Sequence, residues 1–289
     1  MSGNLVRRVA FALVAIPVVI GAARLGGWVL VALLAAAAVL GAREIYDFAA
    51  AQGIAPLRRT GMLGAAAAPA LMALDALGRA GQVPFRAGRY ALAVWLLLVI
   101  TLGLWRRGPG KRPLTSVAVT VFGALYAGWL PAFAILLRHP VAGPASGWRV
   151  GMALLCFPLV LTWVGDTAAF AGGTAIGGPK LAPLVSPNKT WSGAVAGLLG
   201  TVAAALIYAA VVFQRVGVAV GLGEVLVLGA AISVVGQLGD VAESLFKREV
   251  GVKDSSTLIP GHGGVLDRLD SLYFVLPVTA LLFDAFRLT

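Results

Sequence analysis

Residues 191–213 read WSGAVAGLLGTVAAALIYAAVVF, 23 positions without a charged side chain. A helix rising about 1.5 Å per residue needs ~20 apolar residues to cross ~30 Å of hydrocarbon, so this stretch is long enough to span a bilayer. Working outward from it, similar runs lie at 5–23, 28–45, 60–77, 90–104, 114–137, 150–172, 218–238 and 271–286. The reading is an all-α polytopic integral membrane protein of about nine transmembrane helices. Residues 1–289 form one membrane domain, with spans over about 5–137 as a scaffold and those over about 150–289 carrying the motifs.

Composition agrees. Of 289 residues, 60% are hydrophobic and 12% charged, and the mean hydropathy is +0.92; a soluble domain carries about 25% charged residues. A water-soluble enzyme is therefore disfavoured. The 23 Lys and Arg exceed the 12 Asp and Glu by 11, and no basic domain lies outside the apolar runs to bind nucleic acid, so none is expected as a partner. The single cysteine, Cys156, excludes an intramolecular disulfide. Arg7 and Arg8 ahead of an apolar run ending Gly21-Ala22-Ala23 resemble a signal peptide, but a second long run follows at once, and the first is read as a retained span. Counting Arg7, Arg8 and Arg43, at span ends, with the adjoining tail and loop, fifteen of the Lys and Arg fall on the side of the amino-terminal tail and the even-numbered loops and eight on the other, which predicts that the loops at 173–190 and 239–270 share the cytoplasmic face.

The carboxylates are concentrated. Asp240, Glu243, Glu249, Asp254, Asp267 and Asp270, half of all the acids, lie within 31 residues among Lys247, Arg248, Lys253, His262 and Arg268. Asp240, Glu243, Ser244 and Lys247 are spaced 0, 3, 4 and 7, one stripe of a helix continuing inward from the eighth span. Asp267 and Asp270 form a second i, i+3 pair where the ninth span begins. Oxygen ligands of this kind suit Mg²⁺ rather than zinc, and the flanking cations suit phosphate oxygens. Between the pairs, Ile259-Pro260-Gly261-His262-Gly263-Gly264 reads as a phosphate cradle, with His262 either donating to a phosphate or pinning the turn. In the sixth loop, Ser186-Pro187-Asn188-Lys189-Thr190-Trp191 combines a helix cap, a stiff turn and an interfacial anchor, leaving Lys189 for an anionic head group. Asp166 lies inside the apolar sixth span, where an acid is a functional hypothesis by default.

These residues resemble the phosphatidate cytidylyltransferases, the CDP-diacylglycerol synthases. The similarity runs unbroken over 244–270: Ser244-Leu245-Phe246-Lys247-Arg248, then Lys253-Asp254, then His262-Gly263-Gly264-Val265-Leu266-Asp267-Arg268-Leu269-Asp270. A second segment is similar as well, with Gly165-Asp166-Thr167, Lys180-Leu181-Ala182-Pro183 and Ser186 to Trp191. The chain departs from the family pattern at Asn188, commonly Lys, and at Ser192, commonly Glu. The amino-terminal half matches by hydropathy alone.

The resemblance implies CTP and phosphatidic acid as substrates, Mg²⁺ as cofactor with a second metal or monovalent ion left open, membrane lipids around the spans, a homodimer, and a site at the cytoplasmic helix ends of an inner (cytoplasmic) membrane protein. On that reading Asp240 and Asp267 hold the metal, with Glu243 and Asp270 as further ligands or orienters. Lys247, Arg248, Lys253 and Arg268 clamp the triphosphate, and Asp254 orients Lys253 or joins the metal. Ser186, Lys189 and Thr190 take the lipid phosphate; Asp166, Ser244, Gly263 and Gly264 complete the binding site. The alternatives are another CTP-dependent lipid enzyme, such as a polyprenol kinase or an archaeal lipid cytidylyltransferase, and an ion-coupled transporter running past Asp75, Asp166 and Asp240.

Overall fold

The computed structural model describes residues 2–79, 87–140, 147–259, 261 and 263–288, with side chains left undescribed at 2–12, 77–79, 87–89 and 109. Helices dominate: α1 (Ser2–Leu25), α2 (Gly27–Ala51), α3 (Arg58–Arg79) and α4 (Ala87–Arg106), then α5 (Pro113–Arg138), α6 (Trp148–Ile176), α7 (Trp191–Val216) and α8 (Leu222–Glu249). A single turn, α9 (Leu266–Leu269), precedes α10 (Leu272–Ala285). Each apolar run of the sequence falls on one of these helices, with ends agreeing to within a few residues except that α2 continues to Ala51 and α8 to Glu249, six and eleven residues past the runs. Five of them, α2, α5, α6, α7 and α8, are long and apolar enough to cross a membrane, and the protein is an all-α polytopic membrane protein.

Two compact units divide the chain. The first comprises Met1–Leu136 and Glu249–Leu269, the second Leu137–Arg248 and Asp270–Thr289. In the first, Tyr46 of α2 is fully buried because Gly61 and Gly123 offer no side chain where its ring lies; its hydroxyl donates to the Thr120 carbonyl at 2.8 Å. In the second, α6 and α7 pack through small residues. A Cβ at Gly165 would collide with Thr201, one at Gly172 with Ala196 and one at Gly200 with Ala168. Glycine at these positions lets the two backbones approach, the usual basis of helix association in lipid. Phe157, Phe213 and Phe283, all fully buried, cluster in this unit, with ring centroids 5.0 Å apart for the first two and 5.7 Å for Phe157 and Phe283.

The segment read as a plain loop between α6 and α7 holds a small antiparallel hairpin, β1 (Lys180–Ala182) and β2 (Ser186–Thr190). Neither strand alternates in the way that reveals a strand, and Pro187 lies within the second. A two-residue spacing pattern was therefore never available to read.

Candidate active site

The second unit builds a cavity from α6, α7, α8 and the hairpin. Thr190 is the N-cap of α7, its Oγ1 accepting from the Gly193 amide at 3.1 Å. Ser192, one of the two departures from the family pattern, donates to the Gly177 carbonyl and lies 2.9 Å from Thr190 Oγ1, closing the hairpin onto the end of α6. Gln237 of α8 donates to the Ala194 carbonyl of α7 at 3.2 Å. The space left between these elements is about 690 Å³, lined on its polar side by Asp166, Thr174, Lys180, Lys189, Gln237 and Asp240. That volume lies within the range of small-molecule sites.

Three acids and two lysines meet here. Lys189 Nζ lies 2.5 Å from Asp240 Oδ2, and Asp166 feels the charges of both. Gly239 decides the placement of Asp270: a Cβ at residue 239 would press on the Asp270 carbonyl and on Ser271, so only glycine lets α8 come this close. Burial first, and then the neighbouring Asp240 carboxylate, push the Asp270 carboxyl up to about 6; the Ser271 amide and Lys247 oppose the rise, and Asp166 adds to it. Mutual repulsion among carboxylates is what a bound cation relieves. Among the described residues no three His, Cys, Asp or Glu side chains already converge as a ligand set.

The stripe read from the sequence is present on α8. Ser244 Oγ lies 3.4 Å from Asp240 Oδ1, and Lys247 Nζ is 3.2 Å from Glu243 Oε1, the latter side chain fully buried. Arg248 donates through Nε to the Val185 carbonyl at 3.2 Å, tying the end of α8 to the hairpin. Ser186 opens β2, paired in register with Ala182.

The signature segment in the first unit is organised around acids of its own chain. Asp267 Oδ2 accepts from the Ser255 amide at 2.7 Å and from the Gly264 amide at 2.8 Å, and it lies 2.8 Å from the Ser255 hydroxyl. Glu44 of α2, 3% exposed, fills the rest of the turn. Its Oε1 accepts from the Ser256 hydroxyl at 2.7 Å and the Val265 amide at 3.0 Å, its Oε2 from the Ser255 hydroxyl at 2.8 Å and the Leu266 amide at 2.9 Å. Both glycines serve this arrangement. Gly263 has φ +80° with no room beside Asp267, and a Cβ on Gly264 would collide with Ser255 and with Glu44. The Gly264 amide, at the end of the segment expected to cradle a phosphate, and the following amides of Val265 and Leu266 thus point at carboxylates of the protein. Lys253, Asp254 and Arg268 are exposed on the same segment; His262 lies outside the described residues.

Glu44 was missed in the sequence reading. A signal was present, an acid at the end of an apolar run, the same sign that singled out Asp166.

A sequence profile of the cytidylyltransferase family matches residues 6–286. Among curated relatives, a phosphatidate cytidylyltransferase of Brucella suis is 45% identical over 150 residues, covering 52% of this chain and 51% of the relative. One of Haemophilus influenzae is 38% identical over 182 residues, 63% and 62% of the two chains. The chloroplastic phosphatidate cytidylyltransferase 4 of Arabidopsis thaliana is 33% identical over 273 residues, 86% of this chain and 66% of that one. The match to the Brucella protein spans about half of that protein's length. With the profile running nearly end to end, the chain belongs to the cytidylyltransferase family.

Proposed function

We propose that the protein transfers the cytidylyl group of CTP to phosphatidate, giving CDP-diacylglycerol and pyrophosphate, at the cytoplasmic face of an inner membrane. The observation that carries this reading is the second unit's cavity, in which Lys189 and the acids Asp166 and Asp240 line one polar wall within a bundle of apolar helices. A site of that kind meets a lipid phosphate and a water-soluble nucleotide together.

A phosphatidate oxygen, already ionised at neutral pH, attacks the α-phosphorus of CTP. The new P–O bond forms as the bond from the α-phosphorus to the oxygen bridging to the β-phosphorus breaks, and that electron pair leaves with pyrophosphate. No protein base is required. The difficulty is bringing two polyanions together, and catalysis rests on positioning and charge. Lys189 meets the lipid phosphate, with Ser186 and Thr190 shaping its approach. Lys247 and Arg248 of this unit serve the triphosphate and the leaving group, and the family resemblance assigns Lys253 and Arg268 of the signature segment to the same anions.

Oxygen-only donors that repel one another fit Mg²⁺ by type, and Asp240, with Asp166 lining the same cavity, would hold it. When bound, it supplies positive charge to the phosphate oxygens. Glu243 and Asp267, also expected as ligands, are engaged with Lys247 and with the signature turn, and they are assigned orienting roles. The family resemblance also supports a homodimer, which light scattering on the detergent-solubilised protein checks.

Incubating the purified protein with α-labelled CTP, phosphatidate and Mg²⁺ is the direct test. Labelled lipid with stoichiometric pyrophosphate, abolished by chelator, is the expected result. Absence of label from a folded protein overturns the acceptor, and a panel containing polyprenols identifies the replacement.

A further inference from the structure

We propose that Glu44 is a positioning residue for the reaction, an acid from the amino-terminal half whose carboxylate holds the signature segment in its working shape. The inference rests on the proposed cytidylyl transfer only for its catalytic readout.

Four donors converge on Glu44, two hydroxyls and two backbone amides, all at 2.7–3.0 Å. Its partners lie 211 to 222 residues away in the chain. A buried carboxylate accepting this many hydrogen bonds is costly to disturb, because every donor it leaves behind is also buried or half-buried. The arrangement is selective for a carboxylate. Each oxygen faces one hydroxyl and one N–H, so an amide side chain would turn its NH₂ toward a backbone N–H whichever way it is flipped. Gly264 is shaped to the same group, since any side chain at 264 would occupy the space of Glu44 Oε1.

The segment so held carries Lys253, Asp254 and Arg268, exposed and directly flanking the Glu44 contacts at Ser255, Ser256 and Leu266. Glu44 touches none of the reacting groups and acts through the shape of the turn. A displacement of about 1 Å at a catalytic group costs on the order of 10²-fold in rate, and this is the effect expected of losing the carboxylate.

Glu44→Gln, Glu44→Asp and Ser256→Ala, with Asp47→Asn one turn along α2 as control, are compared by hydrogen–deuterium exchange and by kinetics of the full-length protein. In Glu44→Gln the amides of Ser255, Gly264, Val265 and Leu266 exchange at least tenfold faster while those of α6, α7 and α8 keep their protection. The kcat per folded molecule falls about 10²-fold, with the KM for phosphatidate within twofold of the parent. Ser256→Ala, which removes one of the four donors and leaves the carboxylate, shows the same pattern at smaller amplitude. Glu44→Asp, which restores the charge on a shorter stem, recovers part of the rate. If Glu44→Gln does not fold, Ser256→Ala decides. Unchanged exchange in the turn, or full kcat in a variant whose turn has loosened, overturns the proposal. If the parent protein proves inactive toward phosphatidate, the exchange arm still tests the latch, and the failure belongs to the assigned reaction instead.

Discussion

Glu44 and Asp240 are both acids on long apolar helices, and the two units hold them in opposite ways. Glu44 is surrounded by donors: two hydroxyls and two amides consume both of its oxygens. Asp240 has Lys189 and the Ser244 hydroxyl and otherwise faces carboxylates, and burial first, then the Asp240 charge, push the Asp270 carboxyl up to about 6. The first arrangement is complete without any ligand and acts as a structural joint. The second is under electrostatic tension that a cation or a cationic side chain must offset. An acid in an apolar helix is thus a reason to look, and its immediate partners then tell whether it holds the chain or awaits a substrate.

The sharpest way to break this contrast is Asp240→Asn. Turnover of labelled CTP into lipid should fall on the order of 10³-fold, while thermal unfolding in detergent is unchanged or shifts upward; a large fall in melting temperature with activity per folded molecule retained would mean that Asp240 is also a joint. Next in size, Gly264→Ala drives a methyl group into Ser255 and Glu44. It should cost about 1–3 kcal/mol of stability and most of the activity, as read by thermal melts and initial rates.

Asp270→Asn sharpens the comparison through pH. The carboxyl holds its proton up to about pH 6, against an ordinary value of 3.8, so across that window the folded state keeps a proton that the unfolded chain has released. The stability contributed by the Asp270 proton is therefore fully present below pH ~4 and is lost as pH rises through about 6. Melts run with chelator present should show the variant more stable than the parent by about 1–3 kcal/mol at pH 8 and level with it near pH 4. The smallest effect belongs to the cap of α7. Thr190→Ala should cost about 1 kcal/mol and Thr190→Ser almost nothing, both measured by denaturation of the solubilised protein.

Much of this was legible along the chain. The α8 stripe was readable because helical neighbours are three and four residues apart; that its members pair with one another, Asp240 with Ser244 and Glu243 with Lys247, is what the structure adds. The cap at Thr190 was readable for the same local reason. The role of the glycines was not. They were expected to leave room for a ligand, whereas Gly263 and Gly264 leave room for Asp267 and Glu44. Both uses require a residue without a side chain, and nothing in the local sequence separates them.

By itself, then, the amino-acid sequence determined the class of the molecule. Apolar runs of bilayer length admit helices and little else, because no water is present to satisfy an open backbone. It also determined where the charge concentrates, since charged side chains in so apolar a chain are confined to a few segments. Tertiary structure alone decided which acids act together. Glu44 reaches a turn more than 200 residues away, and Asp270 comes beside Asp240 because Gly239 has no side chain to keep them apart. The physical reason is common to both. Hydrogen bonds and charges act over a few ångströms of space, and spacing along a chain reports that distance only within a single helix or turn.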